Sequence, residues 1–339
     1  MILTQNPLVE ITYIVSAVCF ILSLMWMSHP PTPRRSVLAG EIGMVLAITG
    51  TLLLKEVVDY KWIAAALLLG AAIGAPLAYL MPMTAIPQRT ALSHAFGALA
   101  ISLIGISEFT HIIGTGLAFT SGALAFEMML GLLTCTASLI ALGKLGEYLP
   151  SRPMMFKGQS IINLLVFIAA VGLGVYLALN PQMGPLFWVF IALSALFGIM
   201  LVMPIGGADM PTVIALLNAY AGIAASAMGF ALGNKLLIIA GALDGASGFI
   251  LAVIMCKAMN RSFANVMFGG FGQVAASAEG GGPRPVRSAS AEEAALHLEN
   301  AETVVIVPGY GMAVAQAQHK VSELYQALTK KGVEVKFAI

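Results

Sequence analysis

Apolar residues run in long blocks through the first three quarters of the chain, and polar residues gather in short breaks between them. A membrane-crossing helix needs about 20 mostly apolar residues. Nine stretches approach or meet that length: 9–27, 37–54, 62–80, 91–106, 122–142, 160–178, 185–203, 212–230 and 235–256. The breaks carry turn residues, at Pro30-Pro31, Pro82, Pro150, Asn180-Pro181 and Pro204. The weakest break is 231–235, where two stretches are nearly continuous. Small residues recur inside the stretches, as at Gly222, Ala225, Ser226 and Gly229, and such residues let helix backbones approach in lipid.

The pattern changes after residue 262. Residues 275–300 are dominated by Ala, Ser, Gly and Pro, headed by Glu279-Gly280-Gly281-Gly282-Pro283, a composition that serves as a tether. Ala291 to Ala301 has the makings of a short helix. Then Thr303 to Val307 reads as a strand, followed by a glycine-rich turn, a helix at about 313–331 and a second strand from Val333 to Ile339. A strand running into a glycine turn and a helix is the usual opening of a dinucleotide-binding fold. The expected fold is therefore an all-α polytopic membrane bundle of nine transmembrane helices, followed by the first β-α-β unit of a Rossmann-like α/β domain. The expected divisions are a transmembrane domain at 1–262, a hinge and linker at 263–300, and an incomplete nucleotide-binding domain at 301–339. A nucleotide-binding sheet has about six strands. The sequence is thus expected to be truncated, to lack residues that read a ribose 2′-phosphate, and to bind a dinucleotide poorly by itself.

Composition sharpens the membrane assignment. Of 339 residues, 59% are hydrophobic and only 10% charged, against about 25% charged in soluble domains. Net charge is +1, which argues against a nucleic-acid partner. Cys19, Cys135 and Cys256 lie far apart in apolar runs, with neither metal-ligand nor disulfide spacing. The first apolar run lacks a basic leader and a small-residue cleavage site, so it reads as a retained span. With the N-terminus outside, the inner loops hold Arg34, Arg35, Arg89, Lys144, Arg152, Lys157, Lys257 and Arg261, and the outer loops only Lys55, Lys61 and Lys235. That excess favours an outer N-terminus and a cytoplasmic C-terminal domain.

The candidate chemistry lies in a few places. Gly309 would permit a tight turn and Gly311 would let backbone approach a pyrophosphate, with helix amides facing the anion; an ordinary strand-to-helix turn has the same look. His94 lies inside a span, where a titratable imidazole is a proton-carrier candidate or else a side chain reaching the interface. Glu127 and Asp244 are acids in spans. Glu127 lies near the predicted start of its helix and could meet outer water. Asp244, flanked by Gly241, Gly245 and Gly248, needs a partner or a hydrated cavity. Asn163, Asn218 and Ser226 could line a wet path or hydrogen-bond between helices. Gly206-Gly207-Ala208-Asp209-Met210-Pro211 forms an inner loop, either a contact for the cytoplasmic domain or a plain loop with Asp209 favoured by the next helix's dipole.

Four segments together carry a resemblance. They are Leu92-Ser93-His94; Gly206 to Pro211 continuing to Leu217-Asn218-Ala219-Tyr220; Ile254-Met255-Cys256-Lys257-Ala258-Met259-Asn260-Arg261-Ser262; and Pro308-Gly309-Tyr310-Gly311-Met312-Ala313-Val314-Ala315-Gln316-Ala317-Gln318. Over essentially its whole length the chain resembles the β subunit of proton-translocating NAD(P) transhydrogenase. The resemblance implies hydride transfer from NADH, held by a partner α subunit with an NAD(H)-binding domain, to NADP⁺ on the complete form of this subunit, driven by inward proton flow. It implies a dimer of αβ units in a bacterial inner membrane. It puts the proton pathway at His94 and Asn218 and coupling to the nucleotide domain at Asp209 and Arg261; Glu127 and Asp244, as acids in spans, are added to the pathway candidates from the residues themselves. It puts the NADP-binding turn at Gly309, Tyr310, Gly311, Met312, Ala313 and Val314, and it implies no metal. Asp244 departs from the family pattern. The glycine-rich hinge after Ser262, with Gly269, Gly270 and Gly272, is the expected two-state element. A transporter or channel with a nucleotide-sensing domain is the alternative from another class; a plain membrane anchor fits the polar residues in the spans poorly.

Overall fold

The computed structural model describes residues 7–28, 31–54, 59–113, 118–260, 262–263, 290–309, 312 and 317–338. Among them are nine helices long and apolar enough to cross a membrane: α1 (Pro7–Met27), α2 (Pro33–Leu52), α3 (Tyr60–Leu80), α4 (Ile86–Ile112), α5 (Ala118–Leu145), α6 (Gln159–Leu179), α7 (Pro185–Val202), α8 (Met210–Leu232) and α9 (Lys235–Ala258). Helices are the natural choice because lipid offers backbone groups no partners. The chain forms two compact units, Met1–Ala275 and Ala276–Ile339.

Helix ends follow local chemistry. Proline occupies the first turn of α2, α4, α7 and α8, where its missing N–H costs nothing. The weak break at 231–235 is closed by two devices: Gly233 takes the left-handed conformation at φ 65°, and the Asn234 side chain accepts from Leu237 N–H to start α9. The structure lengthens α4 and α5 beyond the apolar windows, to 27 and 28 residues, because their flanking residues are polar yet helix-compatible. One consequence is a correction. Lys144, expected in an inner loop because it falls beyond the apolar stretch 122–142, belongs to the last turn of α5 and is buried.

Within the first unit, α5 is the central helix, with 15 of its 28 residues buried. It packs against α4, α6, α7 and α8. A main core joins Ala137 and Ala141 of α5 to Phe197 and Leu201 of α7 and Leu217 of α8. The α1–α2 hairpin is held by Ser16 Oγ donating to the Gly43 carbonyl, and it meets α9 through Val9, Leu236 and a Glu10–Lys235 ion pair. Helix α3 has no buried residue among those described.

Helices α8 and α9 touch through backbone. A Cβ built on Gly222 would lie 2.2 Å from Gly245 N, and one on Gly241 would lie 2.5 Å from Ser226 N. Only glycine allows that approach.

The second unit is small. Helix α10 (Ala291–Glu299) starts at Ser290, whose side chain accepts from Glu293 N–H in the Ser-x-x-Glu pattern of a capping box. Strand β1 (Thr303–Ile306), helix α11 (Gln318–Lys330) and strand β2 (Glu334–Phe337) follow. The strands pair in parallel, with Thr303 opposite Glu334 and Ile306 opposite Phe337. The β-strand–helix–parallel-strand order matches the sequence expectation; β1 ends one residue earlier than expected and β2 begins one residue later. Hydrogen bonds from Lys336 and then Thr303 hold the exposed Glu334 carboxyl below its usual range.

Candidate functional site

The α8–α9 contact brings two of the expected residues together. Asn218 Nδ2 of α8 donates to Asp244 Oδ1 of α9 at 3.0 Å. The Asn218 side chain also lies against the His94 imidazole of α4, which feels the Asp244 carboxyl electrostatically. Three helices thus contribute one residue each. Gly248 is the reason Asn218 fits there: a Cβ at that position would lie 2.9 Å from Asn218 Nδ2. Asp244 therefore has the partner its mid-helix position demands, and its outer side is exposed on the helix surface. His94 is half-buried, and its Nδ1 is enclosed with no hydrogen-bond partner among the described residues. The same imidazole lines a cleft of about 770 Å³ between α3 and α4, together with Gly70, Gly74, Arg89, Thr90 and Ser93.

Glu127 departs from its simplest expectation. It does not meet outer water: it is fully buried, and neither carboxyl oxygen has a hydrogen-bond partner among the described residues. The physical reason is the longer α5, which begins at Ala118 and sets Glu127 more than two turns inside. There it faces α4, where a Cβ on Gly105 would lie 2.9 Å from Glu127 Oε1.

Two further hydroxyls share this condition. Thr134 Oγ1 and Ser138 Oγ of α5 are buried without partners among the described residues. Glu127, Thr134 and Ser138 are seven and four residues apart, so they lie on one helix face. Helices α4 and α5 are antiparallel neighbours, with Gly131 against Ser102 and Ala98. Extending that register brings Ser138 level with His94. A stripe of partnerless polar groups thus runs along α5 towards the His94 cluster. Sequence reasoning missed Thr134 and Ser138; the seven-and-four spacing from Glu127 is the signal that marks them.

The other two polar candidates turn out to join helices. Asn163 Nδ2 donates to the Met200 carbonyl and Ser226 Oγ to the Ile238 carbonyl. Asp209 is the residue before α8, and its side chain makes no capping hydrogen bond to that helix. Arg261 lies outside the described residues, as do Tyr310, Gly311, Ala313 and Val314, and Gly269, Gly270 and Gly272 of the expected hinge.

At the end of β1 the chain turns, with Met312 N–H donating to the Gly309 carbonyl. Gly309 does not have positive φ, so its own backbone conformation does not require glycine. Gly309 is exposed, and a Cβ there would meet nothing described within 4 Å.

Comparison with known proteins gives the family. A family profile described as NAD(P) transhydrogenase beta subunit matches residues 9–339. Two relatives from Rhodospirillum rubrum, both named NAD(P) transhydrogenase subunit beta, are each 46% identical over 345 residues, covering 98% of this chain and 74% of their own length. With nine apolar helices, a parallel β-α-β element and a match over nearly its whole length, the chain belongs to the NAD(P) transhydrogenase beta-subunit family.

Proposed function

We propose that this chain is the proton-conducting subunit of a proton-translocating transhydrogenase, coupling hydride transfer from NADH to NADP⁺ to inward proton movement. The observation that carries this reading is the meeting of His94, Asn218 and Asp244 from three apolar helices. Polar and ionisable groups inside a bilayer are costly and mark pathways.

In this account His94 is the proton carrier. An imidazole has two nitrogens, and it can take a proton at one and release it from the other. Asn218 orients the ring and links it to Asp244 by its amide, which passes hydrogen bonding along without holding charge. The cleft beside His94 is large enough for water, and Arg89, Thr90 and Ser93 are the polar groups there that would hold it, on a lining otherwise mostly apolar. The Glu127–Thr134–Ser138 stripe supplies further groups along α5.

The residues 1–262 form the proton-translocating domain, 263–300 the hinge and linker, and 301–339 part of an NADP-binding domain of Rossmann type. Gly309, Tyr310, Gly311, Met312, Ala313 and Val314 would hold the dinucleotide by their backbone. When bound, NADP⁺ supplies the hydride-accepting nicotinamide, and NADH is held by a partner α subunit. Asp209 and Arg261 communicate between the membrane block and the nucleotide domain. Occupancy of the nucleotide and protonation of His94 each bias one shared two-state element, the hinge after Ser262. The assembly is a dimer of αβ units in a bacterial plasma membrane, N-terminus outside. Positive charge supports that orientation: Arg34, Arg35, Arg89, Lys144, Arg152, Lys157 and Lys257 all fall at one set of helix ends.

The test is the enzyme assembled with its α subunit in sealed vesicles, supplied with NADH and an NADP analogue. Hydride transfer accompanied by proton movement is expected. Nucleotide-dependent transport without any hydride transfer would instead identify a transporter with a nucleotide sensor.

A further inference from the structure

We infer that Lys144 is a positioning residue that fixes loop 203–209, and with it Asp209 and the start of α8, against the end of α5; its part in coupling rests on the function proposed above. Lys144 is 1% exposed in the last turn of α5. Its Nζ donates to the carbonyls of Val202, Met203 and Ile205 at 3.3, 2.5 and 2.6 Å. An ammonium has three donors and no acceptor, so three carbonyls complete it. Val202 closes α7 and Met203 is its C-cap. Those end carbonyls lack helical partners and form the negative pole of the helix. Among the described residues no carboxylate pairs with Lys144, so backbone dipoles alone hold its charge.

A second set of bonds widens the bracket. Ser151 Oγ donates to the Lys144 carbonyl at 3.2 Å, and the Ser151 carbonyl accepts from Gly207 N–H at 2.7 Å. Met154 N–H donates to the Met203 carbonyl at 3.2 Å. A Cβ on Gly207 would lie 3.0 Å from Ser151 Cβ, so the two loops touch closely. From Gly207 the chain passes through Asp209 directly into α8. Asn218 lies nine residues further along that helix, about 13 Å at 1.5 Å per residue. A movement at Asp209 thus reaches Asn218 through a rigid helix whose near end is anchored by the Lys144 bracket. Removing the ammonium takes its donor from the buried Ile205 carbonyl and leaves the Val202 and Met203 carbonyls with only the Ile205 and Met154 N–H groups, which frees the loop to move without α8 following α5.

A merely structural lysine and a positioning one differ in one readout, the number of protons moved per hydride transferred. Loss of folded enzyme lowers both together and leaves the ratio intact. The experiment uses the enzyme assembled with its α subunit in sealed vesicles, recording proton movement and nucleotide reduction at once for wild type, K144Q and K144R. The expected result is a ratio about tenfold lower in K144Q and within about twofold of wild type in K144R, given the strength of hydrogen bonds to a charged group. If K144Q does not assemble, S151A loosens the same bracket, and its ratio should fall about twofold. A wild-type ratio in K144Q, or in S151A where K144Q fails, overturns the inference. Hydride transfer without proton movement in the wild type would sink the proposed function instead.

Discussion

Substituting alanine for Gly222 tests the proton site without touching any of its side chains. Gly222 lies one turn along α8 from Asn218, and it packs on Gly245, the neighbour of Asp244. An added Cβ would lie 2.2 Å from Gly245 N and 2.7 Å from Gly245 Cα. Ordinary contact is 3.4 Å or more, so the helices must separate locally by about 1.2 Å. Backbone cannot rotate out of the way as a side chain can, and overpacking of this kind costs about 1–3 kcal/mol. The Asn218–Asp244 bond, at 3.0 Å, would stretch to about 4 Å, beyond hydrogen-bonding reach. A hydrogen bond to a charged group contributes about 1.5–3 kcal/mol, and each 1.36 kcal/mol is about tenfold in rate. Proton pumping by G222A should therefore fall about 10- to 100-fold while the protein still inserts. The assay is proton movement in vesicles containing the assembled enzyme, with G172A as control, since nothing described lies within 4 Å of a Cβ at Gly172. Normal pumping by G222A would refute the role given to the close α8–α9 contact.

Other outcomes follow from the same geometry. N218L should lower pumping at least about tenfold by removing the amide between His94 and Asp244; normal pumping with a lowered melting temperature would reduce Asn218 to a link between helices. A cysteine placed in loop 180–184 should react with an impermeant thiol reagent from outside, and one in loop 151–158 should not; the reverse pattern would invert the topology. Lys336 and Thr303 hold the Glu334 carboxyl below its ordinary value, so its contribution to the stability of the second unit is present above the ordinary carboxylate range and is lost as pH falls through the lowered value. E334Q should flatten that acid-side loss in hydrogen exchange of β1 and β2; an unchanged acid profile would discount the Glu334 contacts.

The helices were legible because lipid imposes a simple rule: about 20 apolar residues in a row. The ends were less legible, because polar residues such as Gln88 and Lys144 continue a helix when tertiary partners satisfy them. Gln88 Nε2 reaches the Leu145 carbonyl, and Lys144 reaches three carbonyls around the end of α7. His94, Asn218 and Asp244 were visible one at a time as polar residues in apolar runs. Their meeting was not, since it depends on how α4 crosses the α8–α9 pair. Asn163 and Ser226 look the same as Asn218 in sequence, yet they bond to carbonyls of neighbouring helices. Glu127 illustrates the opposite error: a start set four residues too late turned a buried carboxyl into an apparent surface one.

The most direct measurement of the central claim is a simultaneous record of nucleotide reduction and internal pH in vesicles holding the assembled enzyme, wild type beside H94A. Wild type should move protons as hydride is transferred. The H94A enzyme should insert and assemble normally, move no protons, and transfer hydride slowly. Proton movement at the wild-type rate in H94A would contradict the account.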